Sequence, residues 1–300
     1  MRARQLEVFC MIMRCGTVTG AAAMLNISQP ALSQVLLHAE DELGFKLFNR
    51  IKGRLVPTQE AEELYPEAER IFSELGALRR RTADMRHGRT GLVRLAASTP
   101  PSLSIVPHAM AAFRDEHPEI TVRSLIAPYL NIVDMLRNND ATLAVAMNNQ
   151  AVHDLEVETV GHAEMVCLMP KDHPLAARAE IRFPDLAEET LISYRVNTLP
   201  GRALAGVAAA EGMSYAPAIE IDVSMTAFPF VRQRLGIAIL DGLVPWADFP
   251  GVAVRPFRPV TRMPIAILSN ASRPLSNSHK MMRDHLRAAC RRLEDAQSGH

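Results

Sequence analysis

Side chains that can hydrogen bond to the edges of nucleic-acid bases are concentrated near residue 30. Gln29, Ser33 and Gln34 fall on one side of a helix that would begin at residue 29. A glutamine amide can bond the N6 and N7 edge of adenine, and a serine hydroxyl can bond a base or a phosphate. In a helix-turn-helix, the first turns of the second helix carry such groups into the major groove. We therefore treat these three side chains as candidate base-reading residues.

Two short helices joined by a turn would position them. Thr17 and Ser28 are residues that favour helix N-caps, and Pro30 lies where a missing N–H costs little. The pattern predicts helices over 18–25 and from 29 onward, with the turn at Asn26. The candidate DNA-contacting residues of these helices are Thr19, Ser28, Gln29, Pro30, Ser33 and Gln34.

The second helix has one apolar face and one polar face. The predicted inward side chains are Ala31, Leu32, Val35, Leu36, Ala39 and Leu43. The opposite face carries His38, Glu40 and Asp41. Leu37 lies among the polar residues and has two readings, contact with a thymine methyl or burial against the first helix. An ordinary helical hairpin with a solvated polar face is the alternative to a DNA-reading unit.

The order of motifs favours the DNA-reading unit. The sequence runs Ala21-Ala22, Leu25, Ile27 to Ser33, Glu42-Leu43-Gly44, and then Leu47 to Arg50. In this order it resembles the amino-terminal domain of the LysR-type transcriptional regulators. The resemblance continues through residues 52–58 as a wing, then through a long helix and an effector-binding region, so it covers essentially the whole chain.

The chain departs from that family on the recognition helix, where basic residues are frequent. Here Gln34, Leu37 and His38 occupy the helix. Phosphate contacts must therefore come from elsewhere. Three basic residues at the end of the helical unit and in the wing are the best suppliers, because backbone contacts set register and salt-dependent affinity. They are Arg50, Lys52 and Arg54.

Residues 58–87 read as one long helix, capped by Thr58. Apolar residues alternate steps of four and three along it, as in the seam of a coiled coil. These residues are Leu64, Ala68, Ile71, Leu75, Leu78, Thr82 and Met85, with Thr82 the weak position. A helix packed on its own domain is the alternative. The resemblance implies a dimerising linker helix, hence a homodimer through this helix, and a homotetramer as the usual assembly.

From residue 91 onward strands and helices alternate, which predicts a parallel-rich α/β region. The predicted strands are 92–97, 120–126, 142–147, 163–169, 219–223, 236–240 and 265–268, and the predicted helices are 102–116, 130–138, 201–211, 228–235 and 276–294. The resemblance implies two lobes like those of a periplasmic binding protein. The expected domains are a winged helix-turn-helix domain at 1–58, a linker helix and hinge at 59–90, and an effector domain at 91–300. Its first lobe comprises 91–161 and 265–300, and its second comprises 162–264.

Open α/β sheets bind ligands beyond the carboxyl ends of their strands, often beside helix N-termini. That rule selects polar residues after each strand. The candidate effector-binding residues are Ser98, Thr99, Asn148, Thr198, Arg202, Ser224 and Thr226. Each could instead be a helix cap or a turn residue. Arg202 could pair with an effector carboxylate and Asp222 with an amino group, and an exposed salt bridge is the alternative. The wing and linker resemble most closely family members that answer to opines or basic amino acids.

Composition constrains the partners. The chain has 300 residues and no formal net charge, and residues 1–90 carry 13 Lys and Arg against 11 Asp and Glu. Strong nonspecific binding to nucleic acid is therefore not expected. The N-terminus lacks the apolar core and cleavage site of a signal peptide, and no stretch is long enough to cross a bilayer, so we expect a cytoplasmic protein without a membrane partner.

The sequence offers little support for disulfide bonds, a metal site or catalysis. The four cysteines form no CxxC pair, which favours buried free thiols over disulfides or a metal site. GxGxxG, GxxxxGK[ST], GxSxG and HExxH are missing, so we expect no catalytic residues and no cofactor. Histidines without metal-like pairing predict no metal site; they are His108, His117, His153, His162 and His173.

These observations predict a sequence-specific transcriptional regulator of the LysR type. Its expected partners are double-stranded promoter DNA, a small-molecule effector bound between two lobes, further copies of itself, and RNA polymerase. An enzyme, a solute-binding protein and an architectural DNA-binding protein are the competing classes. The first lacks catalytic signatures, the second would need export, and the third would leave some 200 residues of two-lobed structure without a purpose.

Overall fold

The computed structural model describes residues 1–51, 54–86 and 92–298, which fall into two compact units, Met1–His87 and Gly88–His300. The elements of the first unit are α1 (Ala3–Cys15), α2 (Val18–Met24), α3 (Gln29–Leu43), β1 (Phe48–Ile51), β2 (Arg54–Pro57) and α4 (Gln59–Arg86). The predicted helix pair and the long helix are therefore confirmed.

Local caps set the boundaries of these helices. Gly20 N donates to Thr17 Oγ1 over 3.1 Å, and Ala31 N donates to Ser28 Oγ over 3.4 Å. Gly44 ends α3 with φ +79°, a left-handed conformation in which a side chain would be strained. Ala61 N donates to Thr58 Oγ1 over 3.2 Å at the start of α4. The predicted caps are thus present.

A single apolar core holds the first unit together. It includes Phe9 and Ile12 of α1, Ala21 of α2, Leu32 of α3 and Ala68 of α4. Phe9 lies 6.0 Å from Phe48 of β1 and 6.2 Å from Tyr65 of α4, measured between ring centroids. The two-stranded wing and the start of the long helix are therefore packed on the same core as the helix pair.

The second unit alternates strands and helices and ends in a long helix. Its elements are β3 (Val93–Ala97), α5 (Thr99–Leu103), α6 (Ile105–Glu116), β4 (Val122–Ile126), α7 (Tyr129–Arg137), β5 (Leu143–Ala146), β6 (Leu155–Pro170), β7 (Leu191–Tyr194), α8 (Leu199–Ala210), β8 (Ile219–Ile221), α9 (Ala227–Arg232), β9 (Ile237–Asp241), β10 (Val252–Pro256), β11 (Arg262–Asn270) and α10 (Asn277–Ser298). β7 and β10 were not expected, and the predicted helix 102–116 is two helices, α5 and α6.

The strands form a mixed sheet in the order β4-β3-β5-β11-β6-β9-β7-β8, with β10 also paired to β6. β3 is parallel to β4 and β5, and β7 is parallel to β8 and β9, whereas β6, β10 and β11 run antiparallel to their neighbours. The region is therefore less parallel than the sequence indicated.

β6 and β11 belong to both halves of the unit. β11 follows β6 from Arg262 opposite Glu164 to Asn270 opposite Leu155, with a register shift between Ile265 and Ala266. Beyond that, β6 pairs with β9 and β10. The chain thus passes twice between a lobe built on β3–β5, which we call lobe one, and a lobe built on β7–β10, which we call lobe two. The proposed residue bounds of the lobes stay a prediction.

Each lobe has its own core. In lobe one, α6 and α10 cover one face of the sheet through residues such as Phe113 and Leu286, and α7 covers the other through Ile132. Lobe two encloses a core that includes Phe257 and Trp246. Among the described residues, no single helix has both the length and the apolar composition to cross a bilayer, although the sharply bent pair α1 and α2, at 120°, meets both criteria together.

Candidate DNA interface and effector cleft

The polar face of α3 is open to solvent. Ser28, Gln29, Pro30 and Gln34 are exposed and Ser33 is half-buried, whereas Leu32 and Ala39 on the opposite face are fully buried. Thr19 on α2 is also exposed. The capping bond at Ser28 starts α3 at Gln29, so the two glutamines lie in its first two turns. That is the part of a recognition helix that reaches base edges.

Leu37 is on the solvent side. Its side chain is 49% exposed, and it does not belong to the core of the first unit. Burial against the first helix of the pair, α2, is one of the two readings of this residue, and the exposure of the side chain excludes it. An exposed leucine beside Gln34 is available for apolar contact with a thymine methyl.

Glu40 does not belong to the solvent-exposed polar face of α3 that the sequence predicted for it. Instead of pointing to solvent it is buried, and Oε1 accepts from the backbone N–H groups of Leu47 and Phe48 over 2.9 and 3.2 Å. Oε2 accepts from Lys46 Nζ over 2.8 Å. A carboxylate that satisfies two backbone donors fixes the turn between α3 and β1. The helical wheel could not show this, because the partners come from the next strand.

The expected phosphate contacts lie at the edge of the described structure. Lys52 lies outside the described residues. Arg50 and Arg54 have backbones in the wing hairpin, opposite Leu55 and Ile51 respectively, and their side chains are outside the described part. Both arginines therefore belong to the same two-stranded hairpin, as the prediction of a wing that contacts phosphates requires.

The long helix α4 has two different faces. Ala61 and Ala68 are buried in the core of their own unit, so part of the predicted seam packs within the chain. Leu64, Ile71 and Leu78 are 38%, 43% and 58% exposed, and they recur every seven residues. Residues at that spacing lie along one side of a helix. α4 therefore packs on its own unit at its start and also presents a separate apolar face.

In lobe one, Ser98 and Thr99 lie where β3 ends. The hydroxyl of Ser98 accepts from Met147 N over 3.2 Å, which ties the end of β3 to the end of β5. Asn148 follows at the same edge, and its Oδ1 accepts from Gln150 N over 2.8 Å. Thr99 is half-buried and starts α5. The sheet thus brings three of the predicted residues together at one edge.

α5 has few backbone donors to offer a ligand, because Pro100 and Pro101 occupy its first turn and have no N–H. The hydroxyls of Ser98 and Thr99 must therefore supply most of the donors there. Ser98 uses its lone pair to accept from Met147, so its own proton remains to donate.

In lobe two, Thr198 acts as a cap. Its hydroxyl accepts from Gly201 N over 3.1 Å and donates to Arg195 O over 2.7 Å. Glycine is required at 201, because a Cβ there would lie 2.0 Å from the carbonyl oxygen of Arg195. Both hydrogen-bonding roles of the Thr198 hydroxyl are therefore used within the protein, as the alternative interpretation of this residue expected.

Arg202 and Asp222 are both exposed and already have partners. Arg202 donates to Asn197 O over 2.6 Å, and Asp222 pairs with Arg195 over 2.5 Å. The salt-bridge alternative thus describes Asp222. An effector amino group would have to compete with Arg195 for it, whereas the remaining N–H groups of Arg202 can meet an effector carboxylate.

Ser224 and Thr226 belong to a 3-10 turn after β8. Cα atoms of this turn approach Cα atoms of α5 to within 8 Å. This is where the two lobes meet beside the predicted effector residues. Thr226 is exposed, and its hydroxyl donates to Val223 O over 2.7 Å. Ser224 is 2% exposed, and its Oγ makes no hydrogen bond of good geometry with the described residues. Ser224 therefore lies behind the turn instead of on its surface.

Next to Ser224 lies a polar pair that the sequence interpretation missed. Tyr194 Oη donates to Asp241 Oδ2 over 2.8 Å, and Asp241 Oδ1 accepts from the N–H groups of Leu243 and Val244, each over 3.3 Å. Both side chains are buried. Burial raises the pKa of the Asp241 carboxyl, against the opposing effect of these hydrogen bonds, and it also raises the pKa of Tyr194.

The signal for Asp241 was present in the sequence. An acidic residue directly after the apolar run Ile237 to Leu240 stands at the carboxyl end of a strand, where the same rule selected Ser98 and Ser224. The strand predicted over 236–240 extends in the structure to Asp241. Tyr194 had no such signal, because β7 is only four residues long and was not expected.

The cysteines are free, as expected. Cys10, Cys167 and Cys290 are buried as expected, whereas Cys15 is half-buried. Burial raises the pKa of Cys10 and of Cys290 to about 12, and it raises the pKa of Cys167 as well. A buried thiol with a raised pKa carries little thiolate, the reactive form, at neutral pH.

A cavity of about 650 Å³ on lobe two involves none of the predicted effector residues. It lies between the turn at Pro174–Ala177 and β10. The Arg255 guanidinium in its wall donates to the carbonyl oxygens of Arg178, Val254 and Ala176, so its N–H groups are engaged within the protein. The cavity is therefore not the effector site that the strand-end rule selects.

Each of the two units matches the model of a known protein family. Residues 3–62 match the family model described as the bacterial regulatory helix-turn-helix protein of the lysR family, and residues 86–291 match the LysR substrate binding domain. The HTH-type transcriptional regulator DgcR of a Pseudoalteromonas species is 27% identical over 278 residues, which are 92% of this chain and 96% of that protein.

Two further proteins are similar over most of their length. The octopine catabolism/uptake operon regulatory protein OccR of Rhizobium meliloti is 28% identical over 257 residues, 86% of this chain and 85% of OccR. The crystal structure of full-length CbnR complexed with its target DNA has a TM-score of 0.65 at 18% identity and covers 96% of this chain and 100% of CbnR. At that identity the structural match supports the fold alone.

Proposed function

The chain belongs to the LysR family of bacterial regulatory proteins, and we propose that it reads an operator through α3 and responds to a small carboxylate-bearing effector held between its lobes. The family models carry the general assignment, because they match both units in the family's order. The chain is a LysR-type transcriptional regulator with an effector-binding domain.

On DNA, we assign base reading and phosphate binding to different residues. Gln29 and Gln34 are exposed in the first two turns of α3, with Ser33 between them. Ser28, Pro30 and Thr19 are also exposed and complete the proposed set, and Leu37 adds an apolar contact. Because α3 itself carries no Lys or Arg, the wing residues Arg50, Lys52 and Arg54 supply the electrostatic part of the affinity.

We propose a dimer that forms through α4 and a tetramer as the assembly on DNA. The exposed face at Leu64, Ile71 and Leu78 supports the dimer. Apolar side chains repeated every seven residues form a face that is removed from water when a second helix packs against it, and this burial stabilises the pair. A two-fold protein would match an operator with two-fold symmetry.

The proposed effector is an opine, an amino acid or another small carboxylate. Ser98 and Thr99 offer hydroxyl donors from lobe one, with Asn148 beside them. Thr198, Arg202 and Thr226 border the cleft from lobe two, and the buried Ser224 lies behind the turn that carries Thr226. The similarity to OccR, an octopine catabolism/uptake operon regulatory protein, supports testing opines first. A charged guanidinium at Arg202 favours an anionic ligand.

The effector can change DNA binding only if it binds one arrangement of the assembly better than another. A ligand that touches both lobes meets this requirement, because its contacts depend on how the lobes are placed. We propose no cofactor and no catalysis for this site, and we place the protein in the cytoplasm, where promoter DNA and RNA polymerase are its partners.

Selection of bound duplexes from a random-sequence library tests the DNA half of the proposal. We expect a single motif with two-fold symmetry; recovery of unrelated sequences at moderate salt would contradict it. Thermal unfolding in the presence of octopine, other opines, basic amino acids and aromatic acids tests the effector half, since a ligand that binds the folded state raises the midpoint. If no carboxylate in the panel shifts the midpoint, the proposed ligand class is wrong.

A further inference from the structure

We propose that Glu116, His117 and His285 form a binding site for one divalent transition-metal ion of the Zn²⁺ class on lobe one. Sequence spacing indicated no metal-like pairing for His117, because the histidine that the structure brings beside it is distant in sequence. His285 lies far along the chain on α10, yet the packing of α10 against α6 brings it beside the end of α6.

The donor atoms are close enough for one ion. One oxygen of Glu116 and one ring nitrogen from each histidine all lie within 4.8 Å of one another, and Glu116 Oε2 lies 3.5 Å from His285 Nε2. In a tetrahedral zinc site with bonds of about 2.0–2.1 Å, neighbouring ligand atoms are about 3.3 Å apart. Small side-chain rotations would therefore complete the geometry.

The two imidazoles are held in place before any ion arrives. Both rings contact Phe113, which is fully buried, with centroid separations of 5.2 Å to His117 and 5.7 Å to His285. The His285 side chain is 16% exposed. Ordered rings lose little conformational freedom on binding, so less of the coordination energy is spent on ordering the site.

The backbone also favours a cation here. Glu116 is the last residue of α6, and His117 is its C-cap. The C-terminal end of a helix carries partial negative charge, which stabilises a nearby positive charge. The charge of the carboxylate and the end of the helix therefore act in the same direction.

An ordinary ion pair between Glu116 and protonated His285 explains only part of this arrangement. It does not require the second imidazole, which has a ring nitrogen within 4.8 Å of the donor atoms of both other groups. Two neutral imidazoles and one carboxylate instead form a donor set typical of zinc sites, in which water completes the coordination. By bridging α6 and α10, the ion would fix the last helix to the body of lobe one. This proposal does not depend on the effector or on DNA.

The test uses the full chain without an affinity tag, stripped with a chelator and titrated with ZnCl₂ by calorimetry. We expect one strong site per chain. His117→Gln and His285→Gln should each weaken zinc binding at least about tenfold, because each removes one ligand. His153→Gln, which changes an exposed histidine in the same lobe, should leave the affinity unchanged and serves as the matched control.

Two further measurements keep the test decisive. Glu116 is exposed, so Glu116→Gln should fold normally and still weaken zinc binding if the carboxylate is a ligand. Co²⁺ in place of zinc should give visible absorption bands in the wild type that His285→Gln loses. Zinc should raise the unfolding midpoint of the wild type and of His153→Gln more than that of the three ligand variants. Equal zinc affinity in the wild type and in all three ligand variants, or no binding by the wild type, would overturn the proposal.

Discussion

The hydroxyl of Tyr194 donates a 2.8 Å hydrogen bond to the carboxylate of Asp241, and this pair joins the carboxyl ends of two strands that do not follow each other in sequence. β7 and β9 are parallel neighbours, so their last residues meet at the edge where Ser224 lies. The pair is a buried polar support beneath the lobe-two side of the cleft.

Tyr194→Phe should reduce the free energy of unfolding by about 1–3 kcal/mol, because a buried acceptor loses its donor. Phe183→Leu, a change of similar burial without a polar contact, is the control for lost packing in the same core. The measurement is urea unfolding of the full chain. Stability unchanged in Tyr194→Phe would mean that the hydrogen bond contributes nothing to the fold.

We also expect the stability of the protein to depend on pH through the buried carboxyl of Asp241. Burial raises the pKa of its carboxyl, so in the folded state the group keeps its proton to higher pH than in the unfolded chain. The contribution of Asp241 to the free energy of unfolding is therefore fully present below the pKa of the unfolded chain, about 4. It decreases as the pH rises towards the higher pKa of the folded state. Asp241→Asn should remove that decline. Parallel stability curves for the two proteins above pH 4 would contradict this.

Glu40→Ala should lower the stability of the first unit by about 1–3 kcal/mol, because the N–H groups of Leu47 and Phe48 lose their acceptor. The neighbouring Asp41→Ala removes an exposed carboxylate and should change stability by less than about 0.5 kcal/mol. Circular dichroism during thermal unfolding compares the two. Equal effects would show that Glu40 does not hold the turn.

Gln29→Ala should relax the base preference at one position of each half-site, at a cost of about 1–3 kcal/mol for the preferred base. Arg54→Ala should weaken binding to all sequences alike and reduce the salt dependence of the affinity. Binding to a set of operators with single base changes, measured at two salt concentrations, separates these effects. If both variants lose specificity equally, the division between base reading and phosphate binding is wrong.

Leu78→Glu should shift the protein toward monomers, since it places a charge on the exposed apolar face of α4. Leu235→Glu changes a leucine of comparable exposure, 47% against 58%, outside that helix and should leave the assembly intact. Light scattering after size-exclusion chromatography gives both masses. An unchanged mass for Leu78→Glu would place the dimer contact elsewhere.

The sequence predicted the features that depend on nearby residues. Thr17, Ser28 and Thr58 cap their helices as their types indicated, and the face carrying Gln29 and Gln34 is exposed. The three-residue reach of a cap and the period of a helix are local properties, so a single sequence contains them.

The sequence did not reveal features that depend on distant partners. Glu40 is buried because the backbone of the next strand needs an acceptor, and His117 meets His285 only because two helices pack together. Tyr194 lies in a short strand that is stabilised by its neighbours and shows little pattern of its own. Each case needs the fold before the contact can be recognised.

DNase footprinting on the DNA upstream of the protein's own gene, with and without a panel of opines, amino acids and aromatic acids, tests the central claim most directly. The account predicts a sequence-specific footprint that shortens or shifts with a carboxylate-bearing compound, and a Thr99→Ala variant that keeps the footprint but needs more of that compound for the shift. Absence of any protection at moderate salt would contradict the claim that this chain reads an operator there.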